Sequence, residues 1–156
     1  KGKIPKGDKT TFKEMANGVP GLEIRLPLLF SEGVQKGRIT LQQFVALTSA
    51  NHAKLYGLYP RKGTIAVGSD ADLVVWEQGL DRTVRNADLH HAVDYTPYEG
   101  LALKAWPAIT LSRGEVVWQD GQYLGTAGRG RFLKAQRPVP ARTRGRGHRS
   151  PLWKVD

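Results

Sequence analysis

Histidines and aspartates are the residues of this chain that could hold a metal ion or carry a proton. The sequence contains four histidines and no cysteine, so thiolate and disulfide chemistry are excluded. No two histidines form a His-x-His pair, and the adjacent His90 and His91 would point to opposite faces of a strand. Asp70 and Asp72 lie in a Gly-Ser-Asp-Ala-Asp stretch that is typical of a turn entering a strand. We therefore predict no catalytic residue and no metal ligand in this chain. Surface or hydrogen-bonding roles are expected for its histidines, which are His52, His90, His91 and His148.

The segment Asn17-Gly18-Val19-Pro20-Gly21 indicates a second kind of chemistry, in which backbone groups bind a small polar molecule. Asn17-Gly18 is a turn signal, Pro20 fixes φ, and Gly21 frees the backbone just before a periodic apolar segment. Two glycines and a proline ahead of a helix let the main chain approach a ligand closely. The same pattern is typical of a tight strand-to-helix connection, and both interpretations stay open on these residues alone.

Helices must hold this loop in place. Leu22, Leu26, Leu29 and Phe30 fall at helical spacing and predict one buried stripe on a helix that ends near Gly33.

A second helix is predicted by the capping box that Thr40 and Gln43 would form. The apolar positions that this helix is expected to bury are Leu41, Phe44, Val45 and Leu47 or Thr48. Asn51 is predicted to cap a short third helix that ends at Gly57.

The residue period changes after Pro60 and indicates strands. Residues 64–67 and 73–76 are strand-like runs, and the second is apolar on both faces, which predicts a central strand. Residues 108–111 are a further candidate. Residues 115–118 and 122–124 flank the turn Gln119-Asp120-Gly121 and predict a hairpin. Short strands at this spacing are typical of a β-sandwich module.

Positive charge is concentrated at the ends of the chain. The net charge is +10, yet residues 15–128 are close to neutral, while nine Lys/Arg residues from Arg129 onward face one acid, Asp156. This distribution argues against a nucleic-acid-binding domain, whose basic residues would cover one face of the fold. Residues 136–156 are predicted to form a basic flexible tail. No membrane span and no signal peptide are evident, so we expect a cytoplasmic protein.

Several motifs in order give the chain a resemblance to a known family. They are Asn17 to Arg25, Ser31-Glu32-Gly33-Val34, Thr48 to Lys54, Leu58 to Trp76, Asp94-Tyr95 with Tyr98-Glu99-Gly100, and Ser112 to Val117. Together they resemble the C-terminal portion of the hydantoinase/dihydropyrimidinase family, metal-dependent hydrolases of cyclic amides. The similarity extends over about residues 4 to 135.

The resemblance implies an α/β plus β fold with three regions. Residues 1–57 would supply the last loop and the closing helices of a (β/α)₈ (TIM-like) barrel. Residues 58–135 would form most of a small β-sandwich domain, and residues 136–156 the tail. An upstream portion of the same polypeptide would complete both the barrel and the sandwich. The complete enzyme is expected to be a homotetramer.

The resemblance also implies a chemistry. The family opens cyclic amide or imide rings, such as hydantoins and dihydropyrimidines, to N-carbamoyl amino acids. It uses a pair of divalent metal ions, expected to be zinc, whose ligands would lie upstream of Lys1, so this chain alone is expected to be inactive. Asn17 and Gly18 would bind the substrate, through backbone groups at Asn17, while Glu23 and Arg25 would brace the helix by pairing. The alternative is a non-catalytic scaffold or interaction protein of the same fold.

Overall fold

The computed structural model describes Thr11, Lys13 and residues 18–137. Asn17 and the tail residues 138–156 lie outside the described residues, so their predicted roles stay predictions. In the described part of the chain, two helical segments come first and a four-stranded antiparallel sheet follows. No helix among these residues is long and apolar enough to cross a membrane.

The first helical segment begins later and ends later than predicted. Helix α1 spans Arg25–Leu29 and continues as a wider π-type segment, Phe30–Gln35, so Gly33 lies inside the segment. The chain turns away at Gly37, whose φ is 70°. The predicted stripe was wrong at Leu22, which is 81% exposed because it lies in a turn before the helix and does not follow its period.

The buried positions of this segment are Ile24, Pro27, Phe30, Ser31 and Gly33. Ile24, Pro27 and Phe30 are three residues apart, so the predicted stripe is confirmed at Phe30 and is otherwise shifted to Ile24 and Pro27. Leu26 and Leu29 are half-buried.

The second helical segment is continuous. Helix α2 spans Leu41–Val45, a π-type segment covers Ala46–Ala50, and helix α3 spans Asn51–Leu55. The capping box is confirmed at α2. The Gln43 amide N–H donates to Thr40 Oγ1 at 3.1 Å, and the Thr40 N–H donates to Gln43 Oε1 at 2.7 Å. The predicted cap at Asn51 was wrong, since Ala50 before it is itself helical and no separate helix start exists there.

Burial on this second segment is narrower than predicted. Phe44 is 4% exposed, whereas Leu41, Val45 and Leu47 each keep about half of their surface exposed. The segment therefore buries one aromatic residue of the set rather than a full apolar stripe. The helical end near Gly57 is confirmed, with a φ of 66° at that glycine.

The sheet contains β1 (Leu73–Thr83), β2 (Ala102–Ser112), β3 (Glu115–Gln119) and β4 (Gln122–Tyr123), paired in that order. The predicted hairpin between β3 and β4 is confirmed. Its turn residues Asp120 and Gly121 have φ values of 50° and 76°, as a type I′ turn requires.

Two strand predictions were wrong. Residues 64–67 form no strand, and Ile65 is 85% exposed. Residues 73–76 do begin β1, but within the described part of the chain β1 pairs only with β2 and is an edge strand. Its apolar residues Val74 and Val75 are 41% and 48% exposed, because no element among the described residues covers them fully. The described residues form one sheet, so the second layer of a β-sandwich stays a prediction.

Two groups of buried residues join the helices to the sheet. The first, called here the loop cluster, comprises Ile24, Val84, Leu103 and Trp106. The second, called here the aromatic cluster, comprises Phe30, Phe44, Trp76 and Ala105. Phe30 stacks on Trp76 with ring centroids 4.8 Å apart, and Phe44 meets both rings edge-on. The first helical segment contributes to both clusters and is thereby fixed on β2.

Candidate substrate-binding loop

The predicted substrate loop enters the described structure at Gly18. Gly18 lies in an exposed bend, and a Cβ added there would meet no heavy atom within 4 Å among the described residues. Val19 and Leu22 are also exposed, by 66% and 81%. The first part of the loop therefore faces open space, as a segment that contacts a ligand must.

Gly21 is the point at which the loop meets the rest of the fold. A Cβ at Gly21 would lie 3.2 Å from Tyr98 Cε2 and 3.3 Å from the Tyr98 hydroxyl. These distances are shorter than ordinary van der Waals contact, so only glycine lets the backbone pass the Tyr98 ring without displacing it. The sequence predicted that these glycines let the main chain approach a ligand. At Gly21 the group that the main chain approaches is the Tyr98 side chain of the protein itself.

Glu23 ties the loop to a distant segment. Its Oε2 accepts a hydrogen bond from the backbone N–H of His90 at 2.9 Å, and its Oε1 lies 3.1 Å from His90 Nδ1. The predicted pairing of Glu23 with Arg25 was wrong, since Glu23 uses both oxygens on His90. The His90 ring also meets Trp118 edge-on, at a centroid distance of 5.1 Å.

An open groove of about 560 Å³ runs beside the loop. Its lining is largely apolar, with one cation and one carboxylate. The lining residues are Val19, Gly21, Leu22, Arg25, Leu28, Leu29, Glu32 and Tyr98. Sequence reasoning named the Asp94–Gly100 motif but assigned Tyr98 no role. Because Tyr98 is far from the loop in sequence, only the fold could bring the two together.

The histidines that the structure describes do not converge with the aspartates on a common point. His52 is exposed on α3, while His90 and His91 lie in an irregular segment rather than on a strand. The His91 ring nitrogen Nε2 lies 2.8 Å from Asn86 Oδ1. In the part of the chain that the structure describes, no three His, Cys, Asp or Glu side chains could hold a metal ion together. The described residues therefore do not fit the metal pair that the family resemblance implies.

Asp70 and Asp72 hold a lysine instead. Lys62 Nζ lies 2.9 Å from Asp70 and is also paired with Asp72, and Arg61 Nε lies 3.0 Å from Asp70. The hydrogen bond from Lys62 lowers the pKa of Asp70, against the opposing effect of partial burial, and Arg61 lowers it further. The predicted turn into a strand is confirmed, since β1 begins at Leu73.

The pKa values of Asp72 and Lys62 follow from the same contacts among these charged side chains. Burial alone would raise the pKa of Asp72, but hydrogen bonds from Lys62 and from the Arg113 backbone outweigh it and lower the pKa. Burial opposes the charge of Lys62, and its two carboxylate partners nevertheless raise its pKa. Lys62, Asp70 and Asp72 thus form a charged cluster in which the side chains pair with one another, and Arg61 adds a second cation to Asp70.

The sequence defines the class of protein to which this fold and loop belong. The profile of the amidohydrolase family matches residues 6–117, which is more than half of the chain. The chain therefore belongs to the amidohydrolase family.

The relatives with the most similar sequences are hydantoinases, which confirms the resemblance inferred from the motifs. The chain is 47% identical over 137 residues to the D-phenylhydantoinase of Escherichia coli O1:K1 / APEC, covering 88% of this chain and 29% of that protein. It is 51% identical over 124 residues to the D-hydantoinase of Geobacillus stearothermophilus, covering 79% of this chain and 26% of that protein. The chain spans less than a third of the length of these relatives.

The fold agrees with this assignment. A crystal structure of D-hydantoinase from Bacillus sp. AR9 superposes with a TM-score of 0.81 at 45% sequence identity. The superposition covers 85% of this chain and 29% of that one. The arrangement of helices and sheet is thus shared with a hydantoinase.

Proposed function

We propose that this chain forms the substrate-clamping part of a metal-dependent hydrolase that opens cyclic amide or imide rings. Hydantoins and dihydropyrimidines are the proposed substrates, and N-carbamoyl amino acids are the products. The observation that carries the proposal is the 47% identity to D-phenylhydantoinase, which extends over 137 residues of this chain. The open loop at Gly18 and the groove beside it support the proposal.

In the proposed role, the loop orients the ring rather than reacting with it. Backbone groups at Asn17 would meet the planar N–H/C=O edge of the imide, and Gly18 would keep a side chain out of the space that the ring occupies. Holding a ring in one orientation removes rotational freedom from the reacting pair, which is a large contribution to catalysis. The apolar groove lined by Leu22 and Tyr98 provides a surface for the substituent on the ring.

A bound metal pair would supply the activated water and polarise the carbonyl group. The described residues do not fit such a pair, so we propose that an upstream portion of the same polypeptide holds the metal ions, with zinc as the proposed metal. The same portion would complete the (β/α)₈ barrel and the β-sandwich, and the complete enzyme would assemble as a homotetramer. This chain alone would then be inactive.

Loop variants in the complete polypeptide test the proposal. Replacing Asn17-Gly18 by Ala-Ala should lower the turnover of hydantoin and dihydrouracil by about ten- to a hundred-fold, because a misplaced ring loses the oriented geometry. The metal content should stay unchanged in elemental analysis. Gly130→Ala is the matched control, since Gly130 is also exposed and a Cβ there would meet nothing within 4 Å. Gly130→Ala should behave as the parent protein.

The scaffold alternative gives a different result. A scaffold or interaction protein would fold and assemble but would open neither ring, with or without added zinc. Loss of metal together with activity in the Ala-Ala variant would show instead that the loop supports the metal site, contrary to the proposed role.

A further inference from the structure

We propose that Glu23 is a positioning residue that fixes the substrate loop through its two hydrogen bonds to His90. This inference rests on the proposed function, since it concerns how the loop that would clamp the ring is held before substrate arrives.

The geometry of the contact is specific. Each oxygen of the Glu23 carboxylate has its own partner on one residue, the backbone N–H of His90 at 2.9 Å and the ring Nδ1 at 3.1 Å. Because an ionised carboxylate only accepts hydrogen bonds, His90 must carry a proton on Nδ1 in this contact. Two bonds from one carboxylate to one residue restrict both the position and the rotation of the loop backbone at Glu23.

His90 lies in a segment, residues 86–101, that is itself well braced. The Asn86 N–H donates to Glu99 Oε2 at 2.7 Å, and the Asn86 side chain pairs with His91. The backbone N–H groups of Val84 and Gly100 bond across the segment to Leu101 and Val84 at 2.9 Å each. An anchor held by such bonds can transmit its rigidity to the loop.

Three successive contacts place the loop on this anchor. Gly21 lies against the Tyr98 ring, Glu23 bonds to His90, and Ile24 is buried in the loop cluster with 1% of its surface exposed. The first is a steric contact and the third is an apolar one, so neither fixes a direction as the paired hydrogen bonds do. Glu23 is the polar contact in this series, and it stands five residues after the predicted substrate contact at Gly18.

We call the two hydrogen bonds between Glu23 and His90 the tether. Loss of the tether should weaken substrate binding and leave the chemical step unchanged. If the loop is ordered in only a fraction of the molecules, the apparent dissociation constant for substrate rises by the inverse of that fraction. The structure of the substrate-bound state does not change. The expected signature is therefore a raised KM with a kcat that is nearly unchanged. A residue with a merely structural role would instead lower the amount of folded enzyme, and hence the apparent kcat, at constant KM.

The test is steady-state kinetics of the complete polypeptide with hydantoin and dihydrouracil. Glu23→Ala should raise KM by about five- to ten-fold with kcat within about two-fold of the parent. His90→Ala keeps the backbone donor and Glu23→Gln keeps one acceptor, so both should raise KM by less than Glu23→Ala does. These milder variants also keep the proposal testable if Glu23→Ala fails to fold.

Two matched controls accompany the series. Glu115→Ala also removes a carboxylate that accepts two hydrogen bonds, here from Arg129 at 3.2 and 2.8 Å, but on β3. His52→Ala removes another imidazole ring, which is exposed on α3 and lies in neither the loop nor residues 86–101. Both controls should keep the parent KM, and the predicted order among the three test variants should hold.

The outcomes separate this inference from the function on which it rests. An unchanged KM for Glu23→Ala, or a lower kcat at constant KM, would overturn the proposed role of Glu23. The proposed function would still hold if the Asn17-Gly18 variant lowers turnover at unchanged metal content. A parent protein that opens neither ring would overturn the proposed function and the tether with it.

Discussion

The two faces of the first helical segment differ in how completely the chain encloses them. On one face, the loop cluster buries Ile24, Leu103 and Trp106 to 8% exposure or less beneath the substrate loop. On the other, α2, α3 and β1 border an open groove of about 740 Å³. Its lining includes apolar residues that the described part of the chain leaves exposed, among them Val45, Tyr56, Ile65 and Val74.

The difference shows which part of the fold the described residues complete among themselves. Contacts within residues 18–106 pack the loop against β2 and its neighbours, so the described part of the proposed clamp, from Gly18 onward, is held by this chain. The open face instead combines exposed apolar side chains with the unpaired edge of β1. Edges and apolar patches of this kind favour association with other chains or segments.

The largest expected effect concerns the open face. We predict that residues 1–156 alone are oligomeric, aggregated or partly unfolded in solution, because the exposed side chains and the β1 edge promote association. Size-exclusion chromatography with light scattering measures this directly. A lysine at the edge, as in Val75→Lys, should shift the population towards monomer. A monomeric parent with one cooperative thermal transition would show that the open face needs no partner.

The second prediction compares one aliphatic residue from each face. Leu103→Ala should lower the free energy of unfolding by about 2–5 kcal/mol, because Leu103 is fully buried and its loss leaves a cavity. Val45→Ala, at 47% exposure on the open groove, should lower it by less than about 1 kcal/mol. Urea unfolding of both variants in the Val75→Lys background gives the two values. Equal losses would mean that the open face is covered in solution.

The sequence predicted correctly those features that depend on a few neighbouring residues. The Thr40 capping box depends on residues three apart, and the β3–β4 hairpin depends on the Asp120-Gly121 turn, so both were readable from the sequence. The family was readable as well, because its motifs recur in order.

Whether an apolar side chain is buried depends on which other segment packs against it, and the sequence predicted burial less well. Leu22, Leu41 and Val74 are apolar in pattern but exposed, since nothing in the described structure packs on them. The contacts of the loop with Tyr98 and His90 join residues more than 60 positions apart. A pattern within one segment cannot predict them.

A smaller effect is expected at the start of α2, on the open face. Thr40→Ala should lower the free energy of unfolding by about 1 kcal/mol, because it removes the hydroxyl that accepts from the Gln43 N–H. Thr40→Ser keeps that hydroxyl and should restore most of the loss. If Thr40→Ala is neutral in the same urea experiment, α2 frays in solution and the open face extends further than the structure indicates.

The smallest effect concerns the charged cluster of Lys62, Asp70 and Asp72, which borders the open groove. The pKa values of both aspartates are lowered, so their stabilising contribution is present above the ordinary value of 3.8 and is lost as pH falls through the folded value. The pKa of Lys62 is raised, so its contribution is present below 10.5 and is lost as pH rises through the folded value. Between these limits the contribution is constant.

Lys62→Met tests this pH window in the Val75→Lys background. At neutral pH the variant should have a lower thermal midpoint, because it leaves two carboxylates together without their lysine. The difference from the parent should shrink as pH falls below 3.8 and through the lowered folded pKa values of the aspartates, and again as pH rises through the folded pKa of Lys62. Lys36→Met is the control, since Lys36 is 56% exposed and pairs with one carboxylate, Glu32, so its effect should be smaller and more easily screened by salt. A difference between Lys62→Met and the parent that stays the same as pH falls from 7 through the folded pKa values of the aspartates would mean that Lys62 stabilises the groove by packing and not by charge.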